Sequence, residues 1–276
     1  MMFLNPDNFT CDYYKISDKR FKQSVKIVSL ADIHYAQYGP DNDRLIEAVA
    51  GIEPDVITIP GDILCVKKYP RDLEIEDIIW VEKLIDRLSD IAPVLMSLGN
   101  HEKRLKVFRR HSYDEFKSAV KSGGGKILSN RSVTYTINGN KVRFTGVDIA
   151  RRYYRKGRAA IDMDYSYLEK ILPPKKEGRF EVLLAHNPAF FPQYARRGSE
   201  LILSGHTHGC LVRIPGIGGV ISPELKLFPK YDAGVFREDS STMIVSRGLG
   251  THTFNIRVFD PPQIVTAVVG DFAYEV

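Results

Sequence analysis

Residues 26–34 read KIVSLADIH, a β-branched apolar run that ends abruptly in polar groups. Two later segments repeat this pattern, namely DVITIPGD at 55–62 and PVLMSLGN at 93–100. Buried strands are apolar on both faces, and in open α/β sheets ligands bind outside the carboxyl ends of such strands. The pattern therefore predicts an α/β fold with functional groups gathered at one edge of a sheet.

The segments between and after these strands complete a layered architecture. Helical patterns cover 42–50, about 73–88 and a stretch near 163–171, while Asn138–Gly139 is a strong hairpin signal. Further strand-like runs lie at 132–138, 141–148, 181–185, 200–204, 242–247, 254–259 and 263–269. We expect one domain, 1–276 with a core of about 24–270, built as two packed mixed β-sheets flanked by helices in an α/β/β/α sandwich.

Composition excludes several classes of protein. A net charge of +5 over 276 residues does not demand a nucleic-acid partner, although it suits an anionic substrate. Three separated cysteines without CxxC spacing indicate neither a disulfide framework nor a structural zinc site. The N-terminal MMFLNPDNFTCDYYK carries no export signal, and no run approaches the ~18 apolar residues of a membrane span. We expect a cytoplasmic protein for which peripheral membrane contact remains open.

Five short motifs concentrate metal-type ligands at the predicted strand ends. Alone, a DxH, a Gly–Asp or a single histidine after an apolar run usually marks a turn or a core residue. GNHE and GHTH are much rarer, and five of the seven histidines of the chain fall within these motifs. The motifs are Asp32–Ile–His34, Gly61–Asp62, Gly99–Asn100–His101–Glu102, His186–Asn187 and Gly205–His206–Thr207–His208–Gly209.

These residue types suit a pair of divalent cations. Two such ions about 3.5–4 Å apart repel each other, so a carboxylate must bridge them. A mixture of oxygen and imidazole ligands favours Mn, Fe or Zn over Mg or Ca. Glycines before Asp62, Asn100 and His206 let the backbone approach the ions closely.

The order DxH, GD, GNH[DE], H and GHxH resembles that of the calcineurin-like metallophosphoesterase superfamily, and the resemblance runs from about Lys26 to Val268. It implies a metal-dependent phosphoric ester hydrolase of the layered metallophosphoesterase fold. A hydroxide between two metals would attack phosphorus directly, and His101 would steady the transition state and protonate the leaving group. The implied ligands are Asp32, His34, Asp62 and His208 for the first metal, and Asp62, Asn100, His186 and His206 for the second.

The stretch from GHTHG to SRGLGT also resembles one subgroup, which contains stand-alone bacterial phosphodiesterases and enzymes that cleave UDP-diacylglucosamine pyrophosphate. Three positions depart from the usual pattern. Ala31 precedes the first aspartate where serine is usual. Cys210 follows GHTHG, and its thiol near His208 is either prone to oxidation or a small packed residue, of which we favour packing. Cys65 replaces the acidic residue that often orients the catalytic histidine, so that Glu102 or another carboxylate would have to support His101.

Two further regions of the sequence are candidates for contact with substrate. The run RRYYRKGR at 151–158 either grips a phosphate or nucleobase, with Arg151 and Arg152 as first candidates, or forms a solvated basic turn. In the glycine- and proline-rich loop 209–236, Arg213 and Tyr231 are candidate wall residues of a substrate pocket.

Three functions follow from these motifs. The leading hypothesis is a dinuclear phosphodiesterase or phosphomonoesterase acting on a small-molecule or lipid-linked phosphate ester, including a pyrophosphatase of a nucleotide-sugar lipid. The second is a nuclease, although no capping domain or long insert is present and we expect no nucleic-acid partner. The third is a non-catalytic scaffold, which the filled ligand positions disfavour.

Overall fold

The computed structural model describes residues 8–67, 70–155, 161–210, 212–214, 217–221, 227–251 and 257–272. The strands, in chain order, are β1 (Thr10–Ser17), β2 (Val25–Ser29), β3 (Val56–Ile59), β4 (Val94–Met96), β5 (Lys126–Ile127), β6 (Ser132–Ile137), β7 (Asn140–Gly146), β8 (Phe180–Leu184), β9 (Leu201–Ser204), β10 (Val212–Ile214), β11 (Gly218–Ile221), β12 (Gly234–Glu238), β13 (Ser241–Val245) and β14 (Gln263–Gly270). The α-helices are α1 (Asp43–Ile52), α2 (Ile75–Ser89), α3 (Asn100–Phe108), α4 (Arg110–Ser122), α5 (Tyr165–Ile171) and α6 (Phe191–Arg196).

The strands form two six-stranded mixed sheets and a small ribbon. The first sheet has the order β1-β14-β2-β3-β4-β5, with β2 to β5 parallel and β14 antiparallel to β2. The second sheet has the order β12-β13-β9-β8-β7-β6, with β7, β8, β9 and β13 parallel. β10 and β11 pair with each other. Parallel strands in both sheets carry their functional residues at their carboxyl ends.

The two sheets pack face to face between layers of helices. Ile27 and Leu95 of the first sheet share one fully buried cluster with Phe144, Val182 and Leu203 of the second. The outer face of the first sheet packs against α1, α2, α3 and α4, and the outer face of the second against α5 and α6. This arrangement confirms the predicted α/β/β/α sandwich.

Element bounds follow the sequence predictions closely, with informative differences. The hairpin of β6 and β7 turns at Asn138 and Gly139, both in the left-handed region at φ 50° and 77°. β1 was not predicted and precedes the expected core of about 24–270, although it pairs in parallel with β14 along its whole length. Part of the strand predicted at 254–259 lies outside the described residues.

No helix in the described part of the chain is long and apolar enough to cross a membrane. Its longest helix, α2, has fifteen residues and an amphipathic pattern with Val81, Leu84, Ile85 and Leu88 buried. The buried face of α2 packs on the first sheet, so these four residues belong to the core.

Candidate metal centre

Five strand ends from the two sheets meet at one edge of the sandwich. β2, β3 and β4 of the first sheet lead to Asp32, Asp62 and Asn100, while β8 and β9 of the second lead to His186 and His206. A hydrogen bond joins the residues of the two sheets: the His206 amide donates to Asp32 Oδ2 at 2.8 Å. The sandwich therefore brings together side chains that are far apart in sequence.

Asp32, His34 and His208 form a first group, with one ligand-type atom of each lying within 4.8 Å of the others. Asp32 Oδ1 lies 3.9 Å from His34 Nε2 and 3.7 Å from His208 Nε2. The Nδ1 atoms face backbone carbonyls instead, that of Leu64 at 2.9 Å and that of Gly250 at 3.3 Å. Such carbonyl contacts fix which imidazole nitrogen is presented to a metal ion.

Asp62, His186 and His206 form a second group of the same size. His186 Nε2 lies 3.0 Å from Asp62 Oδ2 and 3.3 Å from Asn100 Oδ1. Asp62 Oδ2 also lies 3.9 Å from His34 Nε2, which belongs to the first group. Asp62 thus faces both groups at once.

The electrostatics of this cluster suit a cation. Asp32 and Asp62 are both buried, and burial together with the charge of Asp62 raises the pKa of Asp32 to about 7. Burial also opposes the charge of Asp62, but His186 and His101 outweigh it and hold the pKa of that carboxyl well below its usual range. Burial lowers the pKa of His186, yet the neighbouring Asp62 raises it to about 9. Two desolvated carboxylates at one point require positive charge beside them.

Distances provide an independent test of the fit. Atoms bound at about 2.0–2.2 Å to one ion lie roughly 3–4 Å apart, a separation too long for most hydrogen bonds. Asp32 Oδ1 has two imidazole Nε2 atoms of its own group at such distances, that of His34 at 3.9 Å and that of His208 at 3.7 Å. Among the described residues, this buried oxygen has no hydrogen-bond donor. The donor set therefore fits a metal ion of the Mn, Fe or Zn type.

The ligand-type residues are held in an uncommon backbone conformation. Few residues other than glycine adopt positive φ, and such strain is concentrated at functional sites. Five of the seven predicted ligands have it: Asp32 (φ 49°), His34 (φ 48°), Asp62 (φ 55°), His206 (φ 74°) and His208 (φ 51°).

Glu102 supports one of these turns. Its buried carboxylate accepts hydrogen bonds from the amides of Asp62 (2.9 Å), Leu64 (3.1 Å) and Gly99 (2.9 Å). Burial and the charge of Asp62 raise the pKa of Glu102 to about 7, while the three amides lower it. Glu102 therefore fixes the turn that carries Asp62, and its described hydrogen bonds do not include the His101 ring.

His101 has a backbone partner at the position where an acidic side chain was expected. Its Nδ1 accepts a hydrogen bond of 2.5 Å from the amide of Val66, which directly follows Cys65. The His101 amide donates to Asp62 Oδ1 at 2.8 Å, and Nε2 lies 3.8 Å from Asp62 Oδ2. The Cys65 sulfur lies within 4.8 Å of the nitrogens of His34 and His101.

The basic run at 151–158 reaches the cluster through a tyrosine. Residues Arg151–Tyr154 form a 3-10 turn, and the Tyr154 ring lies 5.6 Å from the His206 ring and 6.2 Å from that of His186. Arg151 stacks over Phe108, and Arg152 over Tyr153. The two arginines were predicted from the sequence and Tyr154 was not, although the pair of tyrosines in the run was a signal. Residues 156–158 lie outside the described part of the chain.

The other two predicted substrate residues have structural partners. Arg213 pairs with Asp232 at 3.0 Å and donates to the Gly209 carbonyl at 3.0 Å. Tyr231 is buried between Phe191 and Phe236, with ring centroids 5.7 and 5.0 Å away. No described contact joins either residue to the histidine cluster, and their contact with substrate stays a prediction.

Cys210 is a packed residue, as its position in the sequence suggested. Its side chain is buried, and burial raises the pKa of the thiol to about 12. A Cβ atom at Gly219 would lie 2.3 Å from the Cys210 sulfur, so the ribbon of β10 and β11 packs directly on it. The Cys210 side chain therefore packs against the ribbon of β10 and β11.

The buried carboxylates and histidines at the junction of the two sheets form the donor set of a metal site. Residues 25–210, about two thirds of the chain, match the sequence model of the calcineurin-like phosphoesterase family. The protein belongs to this family and is a metal-dependent phosphoric ester hydrolase. The match spans all the ligand-type residues described above.

Curated relatives and solved structures resemble most of the chain. Phosphodiesterase YaeI of Escherichia coli (strain K12) is 26% identical over 244 residues, covering 87% of this chain and 80% of that protein. UDP-2,3-diacylglucosamine pyrophosphatase LpxG of Chlamydia muridarum is 22% identical over 297 residues, with 87% and 82% coverage. The crystal structure of phosphopantetheinyl hydrolase PptH from Mycobacterium tuberculosis matches with a TM-score of 0.47 at 14% identity, covering 80% of this chain and 88% of that one.

Gly99 supplies a direct test of the geometry. A Cβ atom there would lie 2.1 Å from Asp62 Oδ1, so Gly99→Ala must displace that carboxylate. We expect Mn²⁺ affinity to fall by at least roughly 10–100-fold, the cost of disturbing residues that support metal ligands. Calorimetric titration of the metal-free protein measures this change.

Gly51→Ala is the matched control, because nothing lies within 4 Å of the added methyl group in α1. It should leave Mn²⁺ affinity unchanged and stabilise the helix by about 0.5–1 kcal/mol. Equal affinities of the Gly99→Ala and Gly51→Ala proteins would contradict the arrangement.

Proposed function

We propose that the protein hydrolyses phosphodiesters or phosphomonoesters with two divalent metal ions and without a covalent intermediate. The observation that carries this proposal is the position of Asp62 Oδ2, 3.0 Å from His186 Nε2 in one group and 3.9 Å from His34 Nε2 in the other. A carboxylate that faces two sets of imidazoles is suited to bridge two cations.

The ligands divide between the two ions as their distances suggest. Asp32, His34 and His208 would hold the first ion, and His186, His206 and Asn100 the second, with Asp62 shared. When bound, such ions lower the pKa of water to yield a nucleophile at neutral pH and neutralise the phosphoryl oxygens. The buried, preorganised side chains keep the ligand geometry fixed during the reaction.

His101 would donate a hydrogen bond to the leaving oxygen. Because the Val66 amide donates to Nδ1, the hydrogen of the neutral ring lies on Nε2. That atom lies beside Asp62 Oδ2, at 3.8 Å, and so borders the space where phosphate would bind. A positioned donor there stabilises charge that develops on the departing oxygen.

Small or lipid-linked phosphate esters are the substrates we favour. The relatives are named a phosphodiesterase and a lipid-sugar pyrophosphatase, and both cover more than four fifths of this chain. A non-catalytic scaffold is disfavoured, because all seven ligand-type side chains and His101 are present. The nuclease alternative would be favoured if the protein hydrolysed single-stranded DNA faster than the model diester bis-p-nitrophenyl phosphate.

Replacement of the shared carboxylate tests the two-ion reaction. Asp62→Asn keeps the shape of the side chain and removes its charge, so bis-p-nitrophenyl phosphate hydrolysis with Mn²⁺ should fall by more than about 100-fold. Asp239→Asn on the exposed turn between β12 and β13 is the control and should retain full activity. Unchanged turnover in Asp62→Asn would contradict the role of Asp62 as the carboxylate shared by two metal ions.

His101→Gln separates catalysis from metal binding. The variant should lower kcat by roughly 10²–10⁴-fold, the usual contribution of a positioned acid–base group, while two ions per chain remain bound. The paired measurements are steady-state kinetics and metal analysis of the same sample. His111→Gln serves as the control, since the His111 side chain is 87% exposed and contacts only Glu115 among the described acidic residues. Wild-type kcat in His101→Gln would remove this residue from the mechanism.

A further inference from the structure

The segment 247–250, which follows β13, packs directly on the first group of the metal centre. The Gly250 amide donates to the Asp32 carbonyl at 2.6 Å. A Cβ atom at Gly248 would lie 2.8 Å from that of Asp32, and one at Gly250 would lie 2.8 Å from that of His34. The segment therefore needs glycine at two positions to approach two ligand-type residues so closely.

The same segment orients the ring of His208. The His208 Nδ1 atom faces the Gly250 carbonyl at 3.3 Å, and its Nε2 atom lies 3.7 Å from Asp32 Oδ1. A carbonyl that accepts a hydrogen bond from one imidazole nitrogen fixes the ring and presents the other nitrogen to a metal ion. The position of the Gly250 carbonyl thus decides where this ligand-type nitrogen lies.

Arg257 holds the segment in place. Its guanidinium donates from Nη2 to the carbonyls of Gly248 at 3.2 Å and Gly250 at 2.5 Å, and from Nη1 to that of Arg247 at 2.9 Å. Glycine has more backbone freedom to lose than any other residue, so a segment with two glycines needs such contacts to be ordered. The planar fork of an arginine presents several donors in fixed directions, and here it binds three successive turns of one chain segment.

Asp260 neutralises the buried guanidinium. The Arg257 side chain is 9% exposed, that of Asp260 is fully buried, and the two pair at 3.1 Å. A Cβ atom at Gly209 would lie 2.2 Å from Asp260 Oδ1, so the carboxylate packs against the residue that directly follows His208. Both members of the ion pair therefore contact backbone that positions His208.

The second group has its support elsewhere. His186 Nδ1 faces the carbonyl of Pro60 at 3.0 Å, and Pro60 directly follows β3 of the first sheet. Every described hydrogen bond of Arg257 goes to Asp260 or to the segment 247–250. Loss of the guanidinium should therefore disturb the first group and leave the second in place.

We propose that Arg257 is a positioning residue for the first metal ion. This inference rests on the proposed function, since it requires that the two groups hold separate ions. By fixing the Gly250 carbonyl, Arg257 directs His208 Nε2 towards the ligand atoms of Asp32 and His34. The affinity for one ion of the pair then depends on a guanidinium that acts through His208.

Metal binding by variants of Arg257 tests this role. Arg257→Met keeps the length of the side chain but removes its donors, so the affinity for one Mn²⁺ ion should fall by roughly 10–100-fold, the cost of disturbing a residue that supports a metal ligand. The affinity for the other ion should stay at the wild-type value. Calorimetric titration of the metal-free protein measures both affinities. Electron paramagnetic resonance should show an uncoupled ion where wild type shows a coupled pair.

Arg197→Met is the matched control. The Arg197 side chain is 6% exposed, pairs with Glu181 at 3.1 Å and donates to the Pro173 carbonyl at 2.7 Å, so it resembles Arg257 in burial and in partners. Its loss should lower the thermal stability in a similar way while both ions bind as in wild type. Equal metal affinities in the two variants, or an equal loss of both ions in Arg257→Met, would overturn the proposal.

Arg257→Lys is the conservative variant and serves if Arg257→Met does not fold. It keeps the charge without the planar fork, so it should recover part of the affinity for the first ion. An Arg257→Lys protein that binds both ions less tightly by the same factor would also contradict the proposal.

Two ligand variants show whether Arg257 acts through His208. His208→Ala lacks a ligand of the first ion, so adding Arg257→Met should reduce the Mn²⁺ affinity no further. Asn100→Ala weakens the second ion, and adding Arg257→Met should then weaken the remaining ion as much as it does in the wild-type background. A further loss on top of His208→Ala would contradict action through this histidine.

Failure of the proposed function is distinguishable from failure of this role. If wild type binds two ions but hydrolyses neither bis-p-nitrophenyl phosphate nor p-nitrophenyl phosphate, the proposed function fails, while the metal titrations still decide the role of Arg257. If His208→Ala binds as much Mn²⁺ as wild type, the first ion and the role of Arg257 fail together.

Discussion

The structure depends on the burial of two carboxylates, Asp32 and Asp62, at the point where two β-sheets meet. A buried charge without a counter-charge is costly, and here two lie among the same histidines. Each carboxylate has one oxygen bound to a backbone amide, that of His206 for Asp32 and that of His101 for Asp62. The remaining oxygens face imidazoles at distances typical of ligands around a common ion. A cation resolves the conflict between burial and charge.

The surrounding fold keeps this unfavourable arrangement in place. Glu102 holds the Asp62 turn through three amides, and glycine at 99 and 205 leaves space for the two carboxylates, whose oxygens would otherwise lie 2.1 and 2.4 Å from an added Cβ. The 246–251 segment closes the other side, since the Leu249 and Gly250 amides bind the carbonyls of Ala31 and Asp32. Backbone strain at the ligand-type residues is therefore balanced by contacts from both sheets.

The sequence predicts the side chains of the central cluster better than it predicts the residues around its rim. Asp32, Asp62 and His186 are readable because each follows a strand that is apolar on both faces, and parallel strand ends must meet. Tyr154 was not selected, because only the fold shows that the 3-10 turn Arg151–Tyr154 brings its ring to 5.6 Å from the ring of His206. β1 was missed for a related reason: its alternating residues acquire a strand role only through the distant β14. The partner of His101 is a backbone amide, which no side-chain pattern encodes.

The number of metal ions bound by the chain tests the account most directly. Metal-free protein titrated with Mn²⁺ should bind two ions per chain, and electron paramagnetic resonance should detect the exchange-coupled signal of a pair that shares a bridging ligand. Asp62 Oδ2, which lies 3.0 Å from His186 Nε2 and 3.9 Å from His34 Nε2, is the oxygen that would bridge such a pair. A single uncoupled ion, or no bound metal at saturating Mn²⁺, would contradict the bridging role of Asp62.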